Sequence, residues 1–133
     1  MALEGGCQCG AVRYRVEGEP VHGALCHCRD CQRSSGAPVV AWTAFPAAQF
    51  ELIAGAATVF NSSGSAMRHF CPICGTGVYY TNEAVLPGLV DIQTATLDSP
   101  EALAPQVHIQ TAERIGWMAT LADLPEFERY PGG

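Results

Sequence analysis

All seven cysteines of the chain fall into three short motifs: Cys7-x-Cys9, Cys26-x-Cys28-x2-Cys31 and Cys71-x2-Cys74. Sulfurs this close along a chain can reach one centre from a tight turn, which is how thiolates hold zinc or a similar soft-ligand metal. They suit disulfides poorly. Bridge geometry is demanding, Cys-x-Cys is too short to close without strain, and an odd number cannot pair completely. Two pairs and a triplet divide into a closed four-thiolate site, the arrangement of structural zinc, and a three-thiolate site with one position open, the arrangement of catalytic zinc.

The triplet constrains the chemistry. Three thiolates weaken the Lewis acidity of a bound zinc, so activating water is less favoured than with neutral histidine ligands. A soft incoming thiol is the natural fourth ligand, and its pKa falls on binding. The protein side could instead complete the site with His22, His27 or His69. His27 is nearest, but its ring would have to fold back past its own neighbours, so an open or water-filled position is expected. His108 reads as a hydrogen-bonded structural histidine, and Trp42 and Trp117 as core or pocket wall. The chain has no lysine: its basic side chains are Arg13, Arg15, Arg29, Arg33, Arg68, Arg114 and Arg129. No side-chain Schiff base can form, so attack on a carbonyl falls to a thiolate or a metal-bound nucleophile.

Composition narrows the class further. The 133 residues suit one domain, 1–133, with a real core, and 48% apolar with 15% charged residues describes a compact globular chain. The formal charge is −6, and seven thiolates with two zinc dications take it to −9. Such a chain repels nucleic acid and anionic membranes. Neither a signal peptide nor an apolar stretch long enough to span a membrane is evident. A cytoplasmic location is the expectation, and a reducing cytosol again favours metal over disulfide.

The elements that position the cysteines read as strands. Ala11 to Val16 alternates, with Val12, Tyr14 and Val16 on one face. Val39 to Phe45 is apolar on both faces and reads as central. Phe50–Ile53, Thr58–Asn61, Met67–Phe70, Val78–Thr81, Leu89–Thr96 and Val107–Gln110 follow, separated by glycine and serine turns. Helix is scarce; Asp98 to Leu103 is one or two turns, capped by Ser99 with Pro100 first. The fold class is mainly β, with metal sites on the connections. Cys71-Pro-Ile-Cys74-Gly75 after a strand is a zinc knuckle supplying two ligands. Cys7 and Cys9, before the first strand, are its natural partners, and a shared metal would close a loop of about sixty residues.

Gly6-Cys-Gln-Cys-Gly10, Cys26-His-Cys-Arg-Asp-Cys-Gln32 with Ser35 and Gly36, and Phe50 with Gly55 carry a family resemblance. So do Arg68-His-Phe-Cys-Pro-Ile-Cys-Gly-Thr76, Pro105 with His108 and Ile109, Trp117, and Leu124 with Pro125 and Phe127. In that order, along nearly the whole chain, they resemble the glutathione-dependent formaldehyde-activating enzymes. That family is related to centromere protein V and shares the Mss-four-like fold, several short antiparallel strands built around zinc sites. The resemblance implies one structural zinc on Cys7, Cys9, Cys71 and Cys74, and a second on Cys26, Cys28 and Cys31 as the catalytic ligands. It implies a glutathione–formaldehyde adduct as substrate, with carbon–sulfur lyase chemistry forming and cleaving S-hydroxymethylglutathione. On that reading Arg29 and Arg33 hold glutathione carboxylates or balance the anionic centre, and Ser34 or Ser35 supports the developing oxyanion. A non-catalytic zinc module that binds a protein partner or buffers metal, and a lyase for another thiol adduct, are the alternatives.

Overall fold

The computed structural model describes residues 1–132. Two sheets organise it. A three-stranded antiparallel sheet takes β1 (Ala2–Gly6), β2 (Arg13–Glu17) and β5 (Phe50–Ala54), in that order. A seven-stranded sheet takes β3 (His22–Cys26), β4 (Val40–Pro46), β6 (Thr58–Ser63), β7 (Ala66–Phe70), β8 (Gly77–Asn82), β9 (Leu86–Gln93) and β10 (Val107–Ile109). Its order is β10-β3-β4-β9-β8-β7-β6, antiparallel except where β10 joins β3 in parallel at the edge. The expected mainly β class is the one observed.

The core lies between the sheets. Val12, Tyr14 and Val16 come from the smaller sheet and its approach, and meet Phe45, Val78, Val90 and Ile92 of the larger one. The alternation read in residues 11–16 is therefore correct, although the paired strand begins at Arg13. β4 is central, between β3 and β9, with Trp42, Thr43, Ala44 and Phe45 buried in succession. Tyr14 joins the layers: its ring stacks on Phe50 and its hydroxyl bonds Thr96 Oγ1 at 2.8 Å. Burial pushes its pKa up to about 12. Gly5 passes beneath this ring, where a Cβ would stand 2.5 Å from both Tyr14 Oη and Thr96 O. Outside the core, Arg13 forks onto Asp98 at 2.9 and 2.6 Å, an exposed pair of small energetic weight.

Three elements escape the reading by pattern. β1 carries Gly5 and Gly6 and lacks an alternating apolar face. β3, His-Gly-Ala-Leu-Cys, buries both faces at Gly23 and Ala24 and so shows no period. The α-helix α1 (Arg29–Ser35) is capped by Cys28, whose sulfur accepts from Cys31 N, rather than by a hydroxyl or carboxylate. It ends on Gly36, which adopts φ 61° and donates its N–H to Gln32 O. The capped segment expected at 98–103 is a single 3-10 turn, Pro100–Ala102, with Pro100 first as read but no cap bond from Ser99. The run 89–96 is a strand only to Gln93, after which residues 94–96 turn. No helix among the described residues is long and apolar enough to cross a membrane.

The Tyr14 contacts predict a graded response. Tyr14→Phe removes one buried hydrogen bond and should cost about 1 kcal/mol. Tyr14→Ala also opens a cavity between the layers and should cost about 3–5 kcal/mol. Denaturant unfolding of the metal-loaded protein checks both; equal losses would mean that the hydroxyl, not the ring, holds the sheets together.

Candidate metal centres

The β1–β2 connection brings Cys7 and Cys9 beside Cys71 and Cys74 of the β7–β8 connection. The four sulfurs lie within 4.8 Å of one another, with Cys7–Cys9 at 3.6 Å and Cys9–Cys71 at 3.7 Å. A tetrahedron of thiolates about 2.3 Å from zinc has edges of about 3.8 Å, so the cluster fits that ion. Backbone amides point at the sulfurs: Val12 N lies 3.2 Å from Cys7 Sγ, and Ile73 N and Cys74 N lie 3.4 and 3.5 Å from Cys71 Sγ. Gly10 and Gly75 take φ of 83° and 82°, which lets each loop curl its amides inward. Gln8 N donates to Thr76 Oγ1 across the two loops at 3.1 Å. The same hydroxyl sits 3.2 Å from Cys74 Sγ and, with amides of Thr76 and Cys9, draws that thiol's pKa down to about 5.

The triplet is built differently. Cys26 ends β3, Cys28 caps α1 and Cys31 lies in its first turn; their sulfurs also fall within 4.8 Å of one another. A hydrogen bond from Cys31 lowers the pKa of Cys26. Burial raises Cys28, and the bond to Cys26 together with burial raises Cys31. One sulfur ionises readily and its neighbours resist, as like charges in one place must. A cation reverses that resistance, so the donor set fits a soft dication.

Among the described residues no histidine or carboxylate joins the three sulfurs. His27 is fully buried with its ring turned to the edge strand, where Nε2 meets His108 Nδ1 at 2.9 Å. That contact gives His108 the structural part expected of it. His69 stacks on Tyr79, and its Nε2 meets Thr81 Oγ1 at 2.9 Å. His22 stands on the wall of the cavity that the triplet faces. This cavity, of about 460 Å³, spreads over one face of the large sheet. Trp42 and Tyr80, tilted against one another at 5.7 Å, form its apolar wall.

The other anticipated residues divide. Arg29 borders the triplet cavity; its backbone N–H donates to Glu113 Oε1 at 3.0 Å and its guanidinium reaches Gln32 Oε1. Arg33 lies along a separate hollow beside Trp117, which is 57% exposed and so wall rather than core. Ser34 donates to Cys31 O at 3.2 Å, and Ser35 Oγ is buried without a partner; neither lines the triplet cavity. Arg68 precedes the knuckle by three residues in sequence, and no role is evident for it there. It reaches from β7 to within 3.8 Å of Cys31 Sγ, bonds Ser62 Oγ through Nε, and lies 5.2 Å over the Tyr80 ring. Strand pairing carried it there, a long-range fact with no local signature.

Comparison with known proteins agrees with this architecture. A Halomonas elongata protein, provisionally named a glutathione-dependent formaldehyde-activating enzyme, is 28% identical over 127 residues, 89% of this chain and 80% of that one. A Rhodobacter sphaeroides protein of known crystal structure has the same fold. It superposes with a TM-score of 0.64 at 22% identity, over 80% of this chain and 99% of the other. The glutathione-dependent formaldehyde-activating enzyme family matches residues 2–113, from β1 through the turn beyond β10. The chain is an enzyme of that family.

Proposed function

We propose that this enzyme is a zinc-dependent carbon–sulfur lyase that forms and cleaves S-hydroxymethylglutathione, and that it works in the cytoplasm. One observation carries the reading: four sulfurs close on one another, whereas three face a cavity of about 460 Å³ with no fourth ligand among the described residues. Cys7, Cys9, Cys71 and Cys74 would hold a structural zinc, and Cys26, Cys28 and Cys31 a second. Zinc at the triplet supplies a position for an incoming thiol and lowers that thiol's pKa. The protein's own residues do the rest. Arg68 offsets the charge gathered at Cys31, and Trp42 and Tyr80 give the cavity an apolar wall. Arg29 presents a guanidinium to a glutathione carboxylate at the cavity's edge. The glutathione sulfur then adds to the formaldehyde carbon, and the reverse breaks the same bond. The acidic chain offers no attraction to nucleic acid, and its cationic groups near the cavity suit a small anionic thiol.

The two centres should differ in loading. Zinc reconstitution should give two ions per chain, and a chelator should strip the triplet first, having one thiolate fewer. Cys71→Ser should lower stability by several kcal/mol, because that centre joins segments 62 residues apart. Cys28→Ser should leave the melting transition nearly in place and abolish thiol-dependent chemistry. Elemental analysis giving one metal per chain, or equal losses of Tm at both positions, would refute the division.

Thiol entry is testable by spectroscopy. With cobalt at the triplet, glutathione should strengthen the sulfur-to-metal charge-transfer absorption. S-methylglutathione should not, and the response should weaken at low pH as the thiol holds its proton. Arg29→Ala should weaken the response to glutathione and spare a simple thiol. An unchanged spectrum on protein holding both metals would leave a partner-binding zinc module as the better account.

A further inference from the structure

The triplet cavity contains a second group with chemistry of its own. Asp91 lies on β9 between Val90 and Ile92, which face the core. Strand alternation turns Asp91 to the opposite face, where it pairs with Ala44 of β4 on one side and Tyr80 of β8 on the other. That is the face over which the triplet cavity spreads, and Asp91 is part of its lining. The residue is 8% exposed, and its Oδ1 is buried without a hydrogen-bond partner. No ion pair among the described residues involves it.

A carboxyl this buried in the middle of a sheet is costly and rare unless it is partnered. The neighbours do not partner it. Ala44 has nothing to offer, and the turn at 47–49 carries no titratable group. Tyr80 Oη accepts from Asn82 and makes no bond to Asp91 among the described residues, and the Arg68 guanidinium is directed to Cys31, Ser62 and the Tyr80 ring. The other charged or titratable groups around the cavity, besides the cysteines, are His22, Arg29, Asp30 and Glu113. Arg29 and Glu113 are joined to one another through the Arg29 amide. Asp91 thus offers the cavity an acceptor that no protein donor fills.

We propose that Asp91 is a catalytic residue that exchanges a proton with the hydroxyl of the thiol–aldehyde adduct, an inference that rests on the lyase reading above. In cleavage the Asp91 carboxylate takes the hydroxyl proton, the oxygen's electrons close the aldehyde C=O, and the carbon–sulfur pair leaves on sulfur as thiolate. In addition the thiolate pair forms the carbon–sulfur bond, the π pair moves to oxygen, and that oxygen takes the proton from the Asp91 carboxyl. No other reactant is needed. The logic is electrostatic: a site already crowded with thiolates tolerates an alkoxide poorly, and proton transfer from a neutral carboxyl moves that charge from the adduct oxygen to Asp91. Burial supports this by raising the Asp91 pKa to about 7, where acid and base forms are both populated.

The sign of the pH dependence follows. Cleavage needs the ionised form, so its rate should rise with pH through about 7; addition, measured per thiolate, needs the protonated form and should fall over the same range. Exchange NMR of glutathione and formaldehyde on the zinc-loaded protein reads both directions. Asp91→Asn, checked for two zinc ions and an unchanged Tm, should lose about a hundredfold or more in kcat, keep KM for glutathione, and lose the inflection. Infrared spectra of the wild type should show a buried carboxyl band that titrates near neutrality and is absent from the variant.

Three results would overturn the proposal. One is a variant as fast as wild type with the same pH profile. Another is a loss confined to KM that disappears with thiols lacking an ammonium group, which would make Asp91 an amine anchor. Should Asp91→Asn fail to fold, a wild-type infrared spectrum with no carboxyl titrating near neutrality decides against it. Wild-type protein that accelerates no thiol–aldehyde exchange fails differently: the lyase reading itself falls, and the proton role with it.

Discussion

Thiolates repel one another, and this chain places seven sulfurs in two clusters where repulsion is unavoidable. At 3.6–3.7 Å, neighbouring sulfurs cannot all ionise without a cation between them. The pKa pattern records the conflict, with Cys26 lowered while Cys28 and Cys31 are raised. Much of the surrounding architecture serves to make such crowding tolerable. Amides of Val12, Ile73 and Cys74 point at sulfur in one cluster, and the Cys31 amide and Arg68 guanidinium in the other. The four-sulfur cluster joins the β1–β2 turn to the β7–β8 turn, so a metal bound there would hold the two sheets together at one end. Tyr14 and its hydrophobic neighbours hold them elsewhere.

The same constraint separates the two clusters. The four-sulfur cluster takes two ligands from each of two turns, with Cys7 and Cys71 buried, Cys74 half-buried and Cys9 exposed. The triplet uses one strand end and one short helix, all from residues 26–31, so nothing arrives from across the fold to complete it. The opposing surface is the face of the large sheet instead, and what that face presents is mixed: Trp42 and Tyr80 as apolar wall, Arg68 as cation, Asp91 as acid. A metal site whose last position faces a lined cavity is equipped to take a ligand; one whose four positions are all taken by protein sulfurs is equipped to hold a fold.

How much of this was legible in the chain depends on distance. Cysteine spacing is local information, and the division into four and three emerges from it intact. Strand β2 is also local, because alternation of Val12, Tyr14 and Val16 needs no knowledge of partners. β3 was hidden because a strand buried on both faces, with a glycine in it, has no period to detect. α1 was hidden because its cap is a sulfur. Arg33 and Ser35 drew attention by proximity to the triplet in sequence, yet the helix turns them away from its cavity, since a helix sends successive residues to different sides.

Asp91 is the instructive failure, since a signal was present. Leu89-Val-Asp-Ile-Gln places one acidic residue in an otherwise apolar stretch read as a strand. A charge in such a position contradicts its surroundings, and the contradiction costs stability unless something offsets it. The cost has a sign: a carboxyl whose folded pKa is raised is destabilising above that pKa and harmless below its unfolded value, so the fold bears the penalty at neutral pH. A structural role would not require that, because Asn would fill the same volume without charge. The residue makes sense where the penalty is incurred beside a reacting centre, in a cavity that must both give and take a proton.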